Sequence, residues 1–207
     1  MNHLKVWAVI SSLLFVFGCN PPPPGEKSLS TPAPTPQQSD AINWVDSTSY
    51  WHPATDDLGS SIDTAGGLFQ GASVRVGFTI TPKKSEVWPY VELIFRSPIP
   101  LTNTTGLVVN YRCDKPLIVK LSQRDFNAAP EGNSTWSYYQ KTLPPSAEWS
   151  QVELSYEEFA QPDWATEESR AIPLRLENVT GVYFTPQLDA IRGESALTEL
   201  KLLKFVI

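Results

Sequence analysis

Residues 117–164 read LIVKLSQRDFNAAPEGNSTWSYYQKTLPPSAEWSQVELSYEEFAQPDW, and the pattern of this stretch decides the fold. Over 117–123, Leu117, Val119 and Leu121 alternate with Ile118, Lys120 and Ser122, the period of two expected of a strand with distinct faces. A polar loop carrying Arg124 and Asp125 leads to a Tyr-rich strand over 135–141. Pro144-Pro145 then forces a turn, because proline lacks the N–H that a sheet ladder needs. Trp149 heads the next strand, 149–155, in the pattern Trp-x-x-Val-x-Leu. Residues 156–161 predict one helical turn, with Ser155 as its cap and Glu157 and Glu158 at the favourable N-terminal end. Pro162-Asp163-Trp164 closes the segment.

The same alternation continues on both sides. Over 73–81, Val74, Val76, Phe78 and Ile80 share one face, while Arg75, Gly77 and Thr79 share the other. Residues 87–96 predict a strand in which Val91, Leu93 and Phe95 alternate with Tyr90, Glu92 and Ile94, with Pro89 marking an edge or bulge at its start. The strands 107–112 and 117–123 flank Cys113-Asp114-Lys115-Pro116 and read as a hairpin. Trp44-Val45-Asp46 reads as a first strand, and 179–185 and 198–206 as the last two. Strands at this spacing, without helices between them, predict an all-β sandwich or barrel.

The first forty residues are of another kind. Lys5 precedes an apolar run over 6–17, within the length of a signal segment and short of the ~20 residues that span a bilayer. Val16-Phe17-Gly18-Cys19 looks like a bacterial lipobox, which would be cut before Cys19 and acylated on that cysteine; Phe17 departs from the usual small residue. Asn20 rather than Asp after the cysteine favours the outer membrane, by resemblance to sorted lipoproteins. Pro21-Pro22-Pro23-Pro24 and the TPAPTP of 31–36 favour extended polyproline II, a spacer of about 3 Å per residue. The expected organisation is a signal segment over 1–18, a lipidated Cys19 with a Pro-rich linker over 19–40, and one domain over 41–207.

The order of features in 117–164 resembles the carbohydrate-binding modules of the galactose-binding-like jelly-roll group, in particular family 11, and the related domain of the complex I intermediate-associated proteins. The resemblance covers roughly residues 44–206. It rests on a loop with Arg124-Asp125, the Tyr139-Gln140 start of a strand, the Trp149 pattern, and Phe159 with Trp164. It implies a β-sandwich jelly roll that binds β-glucan-like polysaccharide along the outer face of one sheet. By that match, Arg124, Asp125, Tyr139 and Gln140 would touch the ligand, whereas Trp149, Phe159 and Trp164 fall at packing positions.

Bulk chemistry narrows the function. The chain has 207 residues and a net charge of −6, which disfavours a nucleic-acid partner held through its phosphates. Only 18% of residues are charged, against roughly 25% on average. With the signal segment removed, His52 is the only histidine, so a histidine-rich metal centre is excluded and a Ser-His-Asp triad has no marked serine. Among Glu92, Asp125, Glu131, Asp163 and Asp189 a glycosidase pair would need two carboxyls about 5–9.5 Å apart, a weaker reading than non-catalytic binding. Asp46, Asp56, Asp57 and Asp63 would supply oxygens to a structural calcium, or else simply make turns. No other cofactor is expected.

Sugar recognition needs rigid aromatic surfaces beside polar groups that match hydroxyls. The chain interleaves the two types in Trp88 and Tyr90, Tyr111 and Arg112, Arg124 and Asp125, and Trp136, Tyr138, Tyr139 and Gln140. Tyr183 alternates with Val182 and Phe184 and should face outward if those two face the core. The expected partners are a polysaccharide and, through the lipid anchor, a membrane. The rival reading is a protein-interaction or assembly lipoprotein of the cell envelope that uses the same sandwich face.

Overall fold

The computed structural model describes residues 42–84, 86–126 and 137–207. The expected signal segment, Cys19, the expected Pro-rich linker, Glu131 and Trp136 lie outside the described residues. Among the described residues, eleven strands form two antiparallel sheets. The first sheet has the order β1 (Trp51–Thr55), β5 (Val91–Arg96), β10 (Val179–Pro186), β7 (Leu117–Gln123) and β8 (Tyr139–Leu143). In the second the order is β2 (Ser61–Asp63), β4 (Ser73–Thr79), β11 (Ser195–Val206), β6 (Gly106–Cys113) and β9 (Ser146–Ser155), with the short β3 (Phe69–Gln70) also on β4. One short helix, α1 (Glu167–Arg170), precedes β10. This is the β-sandwich that the alternation requires, with the apolar residues of each strand turned toward the facing sheet.

The core sits between the sheets. Phe78, Leu93, Phe95, Leu107, Val119, Leu121, Val182, Phe184, Leu200 and Leu203 are fully or almost fully buried. Trp51 lies between Phe95 and Phe184, with ring centroids 5.1 and 5.9 Å away. Its indole N–H donates to the Trp44 carbonyl at 2.9 Å, so the one polar atom of a buried indole is satisfied. Tyr111 is buried likewise, its hydroxyl donating to the Pro144 carbonyl at 2.7 Å, and burial raises its phenol above the usual value. Cys113 is a buried free thiol, raised by its burial and lying 3.4 Å from the Thr198 hydroxyl.

Two expectations are corrected. Residues 107–112 and 117–123 are strands, but not a hairpin, since β6 belongs to one sheet and β7 to the other. Both edges of β6 are taken by β11 and β9, so the 113–116 turn steps between layers. Asp114 accepts from the Leu197 N–H at 3.0 Å and Lys115 pairs with Glu194 at 3.1 Å, which fixes that step. Trp44–Asp46 is a 3-10 turn rather than a strand. The nearest strand, β11, already has neighbours on both sides, and the Asn43 side chain binds it instead, donating to the Lys201 carbonyl and accepting from the Leu203 N–H. The turn at Tyr156–Glu158 is present and carries a full capping box from Ser155 and Glu158.

The aspartates proposed for calcium are not gathered. Among the described residues no group of three or more His, Cys, Asp or Glu could hold a metal ion. Asp56 makes a turn instead, accepting from the N–H groups of Leu58 and Ser60 and, across the loop, from Tyr90 at 2.7 Å. Asp46 and Asp57 are exposed on separate turns.

Candidate functional site

Because Leu93, Phe95, Val182, Phe184, Val119 and Leu121 must face the core, their neighbours in the same strands are turned to the outer face of the first sheet. The register sets them in rows. His52 lies opposite Ile94, Ile94 opposite Tyr183, Tyr183 opposite Lys120 and Lys120 opposite Gln140. In the next row Ala54 lies opposite Glu92, and Thr185 opposite Ile118. Four adjacent strands thus supply the floor of a cleft of about 1220 Å³.

The floor carries one ion pair. Lys120 on β7 reaches across β10 to Glu92 on β5, with N–O 2.8 Å, and the Thr185 hydroxyl donates to the same carboxylate oxygen at 3.4 Å. The side chains keep only 18% and 13% of their exposure, so the pair is largely out of water. An ammonium has three donors and a carboxylate about four acceptor positions, which leaves capacity beyond the bond they share. Around this polar centre the surface is aromatic and aliphatic.

The walls come from three loops. Residues 87–90 bring Val87, Trp88 and Tyr90, with Pro89 buried beneath them. The Tyr90 backbone is fastened on both sides by Asp56, which accepts from the Tyr90 N–H and whose own N–H donates to the Tyr90 carbonyl. The Tyr90 phenol is raised by burial and then by the nearby carboxylates of Glu92, Asp57 and Asp56, so its hydroxyl stays a donor at neutral pH. On another side stand Tyr138 and Trp164. The turn that presents Trp164 is held by Arg170, which donates to the carbonyls of Asp163 and Ala165 at 2.7 and 3.0 Å. The third wall is the loop after β10, in which Asp189 accepts from the N–H groups of Ile191 and Arg192.

Tyr183 is placed with some care. Its ring and that of Tyr138 meet in a T-shape with centroids 5.8 Å apart. It also lies close to Gly181, where a Cβ would come within 3.4 Å of the ring and 2.6 Å of the Phe95 carbonyl oxygen. A glycine at this position therefore permits both the close strand pairing and the ring above it.

Of the residues read from the sequence as ligand contacts, the fold brings Tyr183, Trp88, Tyr90 and Tyr138 to this one cleft. Gln140 shares the outer face but stands one strand beyond Lys120, where its backbone bridges to Ala160. Tyr139 points to the other side of the strand, its hydroxyl donating to the Ile172 carbonyl at 3.1 Å and its ring against Phe126. Arg124 and Asp125 form a turn past the far end of β7, outside the cleft. Asp125 accepts there from Arg175 and Asn178, and Arg124 borders a separate recess of about 250 Å³.

Trp164 was expected to pack, yet it is 66% exposed and lines the cleft. Its neighbours Pro162 and Asp163 were the available signal, because a polar, turn-forming setting exposes a ring. Trp149 is not core either: it lies half-buried on the second sheet, with the guanidinium of Arg112 and the ammonium of Lys201 5.0 and 5.5 Å from its ring centroid. Phe159 is buried as expected. The Lys120–Glu92 pair was missed because 28 residues separate its members and only the insertion of β10 between their strands brings them together.

No family model matches the chain, and no curated protein does. Solved structures do. A family 11 carbohydrate-binding module from Clostridium thermocellum, solved in complex with a β-1,3-1,4-mixed-linked tetrasaccharide, is 14% identical with a TM-score of 0.53, over 76% of this chain and 88% of that one. The family 11 module of a cellulosomal cellulase from the same organism is 13% identical with a TM-score of 0.50, over 82% and 90%. At such identity the likeness is one of fold, the β-sandwich these modules share.

Proposed function

We propose that the cleft on the first sheet binds a segment of polysaccharide without making or breaking bonds. The observation that carries this reading is the placement of exposed apolar groups. Among the described residues, five of the nine large hydrophobic side chains left exposed, Val87, Trp88, Tyr90, Trp164 and Ile191, line this cleft. A soluble surface does not keep such groups together without a use for them. Aromatic rings take the C–H faces of sugars, and the Lys120–Glu92 pair, Thr185 and the tyrosine hydroxyls offer donors and acceptors to a rim of hydroxyls. A volume of about 1220 Å³ exceeds the roughly 300–1,000 Å³ of sites for small ligands, and suits several sugar units. Among the described residues the cleft is lined by two carboxylates, Glu92, paired with Lys120 and Thr185, and Asp189, which accepts from backbone N–H groups, a setting that favours binding over hydrolysis.

In this reading the N-terminal segment delivers the domain to the cell envelope, with Cys19 acylated and residues 19–40 spacing the 41–207 domain from the outer membrane. Affinity electrophoresis tests the binding, with the protein run through gels containing mixed-linkage β-glucan, xyloglucan, xylan or mannan. Retardation by at least one polymer, reduced by Tyr183→Ala, is expected. Unretarded migration of the folded protein in every gel refutes the proposal and favours a protein partner for the same rim.

A further inference from the structure

The geometry points to Lys83 as a positioning residue that holds the Trp88 indole ready for a ligand; this rests on the glycan reading of the cleft. The Lys83 ammonium lies 3.9 Å from the centroid of the Trp88 ring, well inside the ~6 Å range of cation–π attraction. Trp88 borders the cleft and is 61% exposed, whereas Lys83 is half-buried and does not border it. The cation therefore covers the indole from outside the cleft and leaves the remaining face to whatever enters.

An indole this exposed has little packing to fix its rotamer, and a ligand that stacks on it must first order it. Lys83 removes part of that cost in advance, because the backbone that carries it is tied down beside the ring. Its backbone N–H donates to the Ala190 carbonyl at 2.6 Å. Ala190 sits in the loop after β10, whose Asp189 N–H donates to the Glu194 carboxylate at 3.0 Å, and Glu194 in turn is paired with Lys115. Trp88 is thereby linked, through one cation, to the loop that forms the third wall of the site it serves. Trp149 on the second sheet also carries cations over its ring, but there the ring is half-buried and lines neither the cleft nor the recess beside Arg124.

The test combines a ligand-free signature with a binding cycle in mixed-linkage β-glucan. In proton NMR of the free protein, the Lys83 ε-methylene resonances should be shifted upfield by the indole ring current and return to ordinary positions in Trp88→Leu. Lys83→Met should weaken binding about two- to tenfold, the factor that corresponds to ordering one side chain. Lys83→Arg, which keeps a cation over the ring, should bind within about twofold of the wild type. Thermal midpoints should agree among the three, and Lys83→Met should add no further loss in a Trp88→Leu background. Wild-type affinity in Lys83→Met, an equal loss in the Trp88→Leu background, or unshifted methylene resonances would each overturn the inference. Failure of the wild type to bind any of the four polymers removes the glycan reading and this inference with it, and is told apart from the other failures because the ring-current shift persists.

Discussion

Replacing Trp164 by alanine removes a ring that is 66% exposed in the free protein. An indole side chain presents about 150–250 Å², so roughly 130 Å² of this one is open to solvent, and a sugar stacked on one face would cover about 70 Å². At ~25 cal/mol per Å², that contact contributes about 1.8 kcal/mol, or roughly a twentyfold change in Kd. Stability should hardly respond, because substitutions at exposed positions typically stay within about 0.5 kcal/mol, and the turn is held by Arg170 through backbone carbonyls that alanine retains. The two quantities therefore separate. Isothermal titration with the polymer that retards the wild type should show the loss of affinity, and thermal denaturation should show a melting temperature unchanged within about 2 °C. A Trp164→Ala protein that melts normally and binds within twofold of the wild type would show that the ring lies outside the bound path.

Two other outcomes follow from single residues. Burial opposes ionisation of Asp56, but its hydrogen bonds from Ser60, Tyr90 and Leu58 outweigh that and hold its pKa below the usual value. The folded carboxyl thus gives up its proton more readily than the unfolded one, so the stability it contributes is complete above about pH 4 and is lost as the pH falls through its lower folded value. Asp56→Asn should cost on the order of 1 kcal/mol at neutral pH and flatten the acid limb of a urea-stability profile; an acid limb identical to that of the wild type would contradict the assignment. Separately, cells expressing the full chain should incorporate labelled palmitate into it, and Cys19→Ala should abolish the label; a labelled Cys19→Ala protein would remove the proposed anchor.

The fold was legible because the apolar alternation is strict where strands face a core. Val74, Val76 and Phe78, Leu93 and Phe95, and Val182 and Phe184 announce their faces, and with them the outward place of Tyr183. What alternation does not carry is which strands are neighbours. Cys113-Asp114-Lys115-Pro116 looks the same whether the chain folds back on itself or steps to the other sheet, and the difference is settled by the occupied edges of β6. The site followed the same rule. Trp88, Tyr90 and Tyr183 were legible as aromatic residues turned out of the core, but the family match carried over Tyr139 and Gln140 together, and two successive strand residues cannot share one face; Tyr139 is the one turned inward. Arg124 and Asp125 sit next to a floor strand in sequence, yet they lie past its end, where distance along the chain says nothing about distance from the cleft.

The strand order also dictates a schedule. β10 lies at the centre of the first sheet and β11 at the centre of the second, although they are the last two strands of the chain. Until residues 179–206 are available, β5 and β7 have no neighbour in common, and neither do β4 and β6. A ribosome that has delivered the first nine strands has delivered fragments with open edges, the kind that pair with the wrong chain. The whole sandwich then closes around two wedges driven in at the end, a topology of long sequence separations and correspondingly slow closure. The cleft shares that dependence: its floor spans residues from Ala54 to Thr185 and is incomplete until β10 lies between β5 and β7.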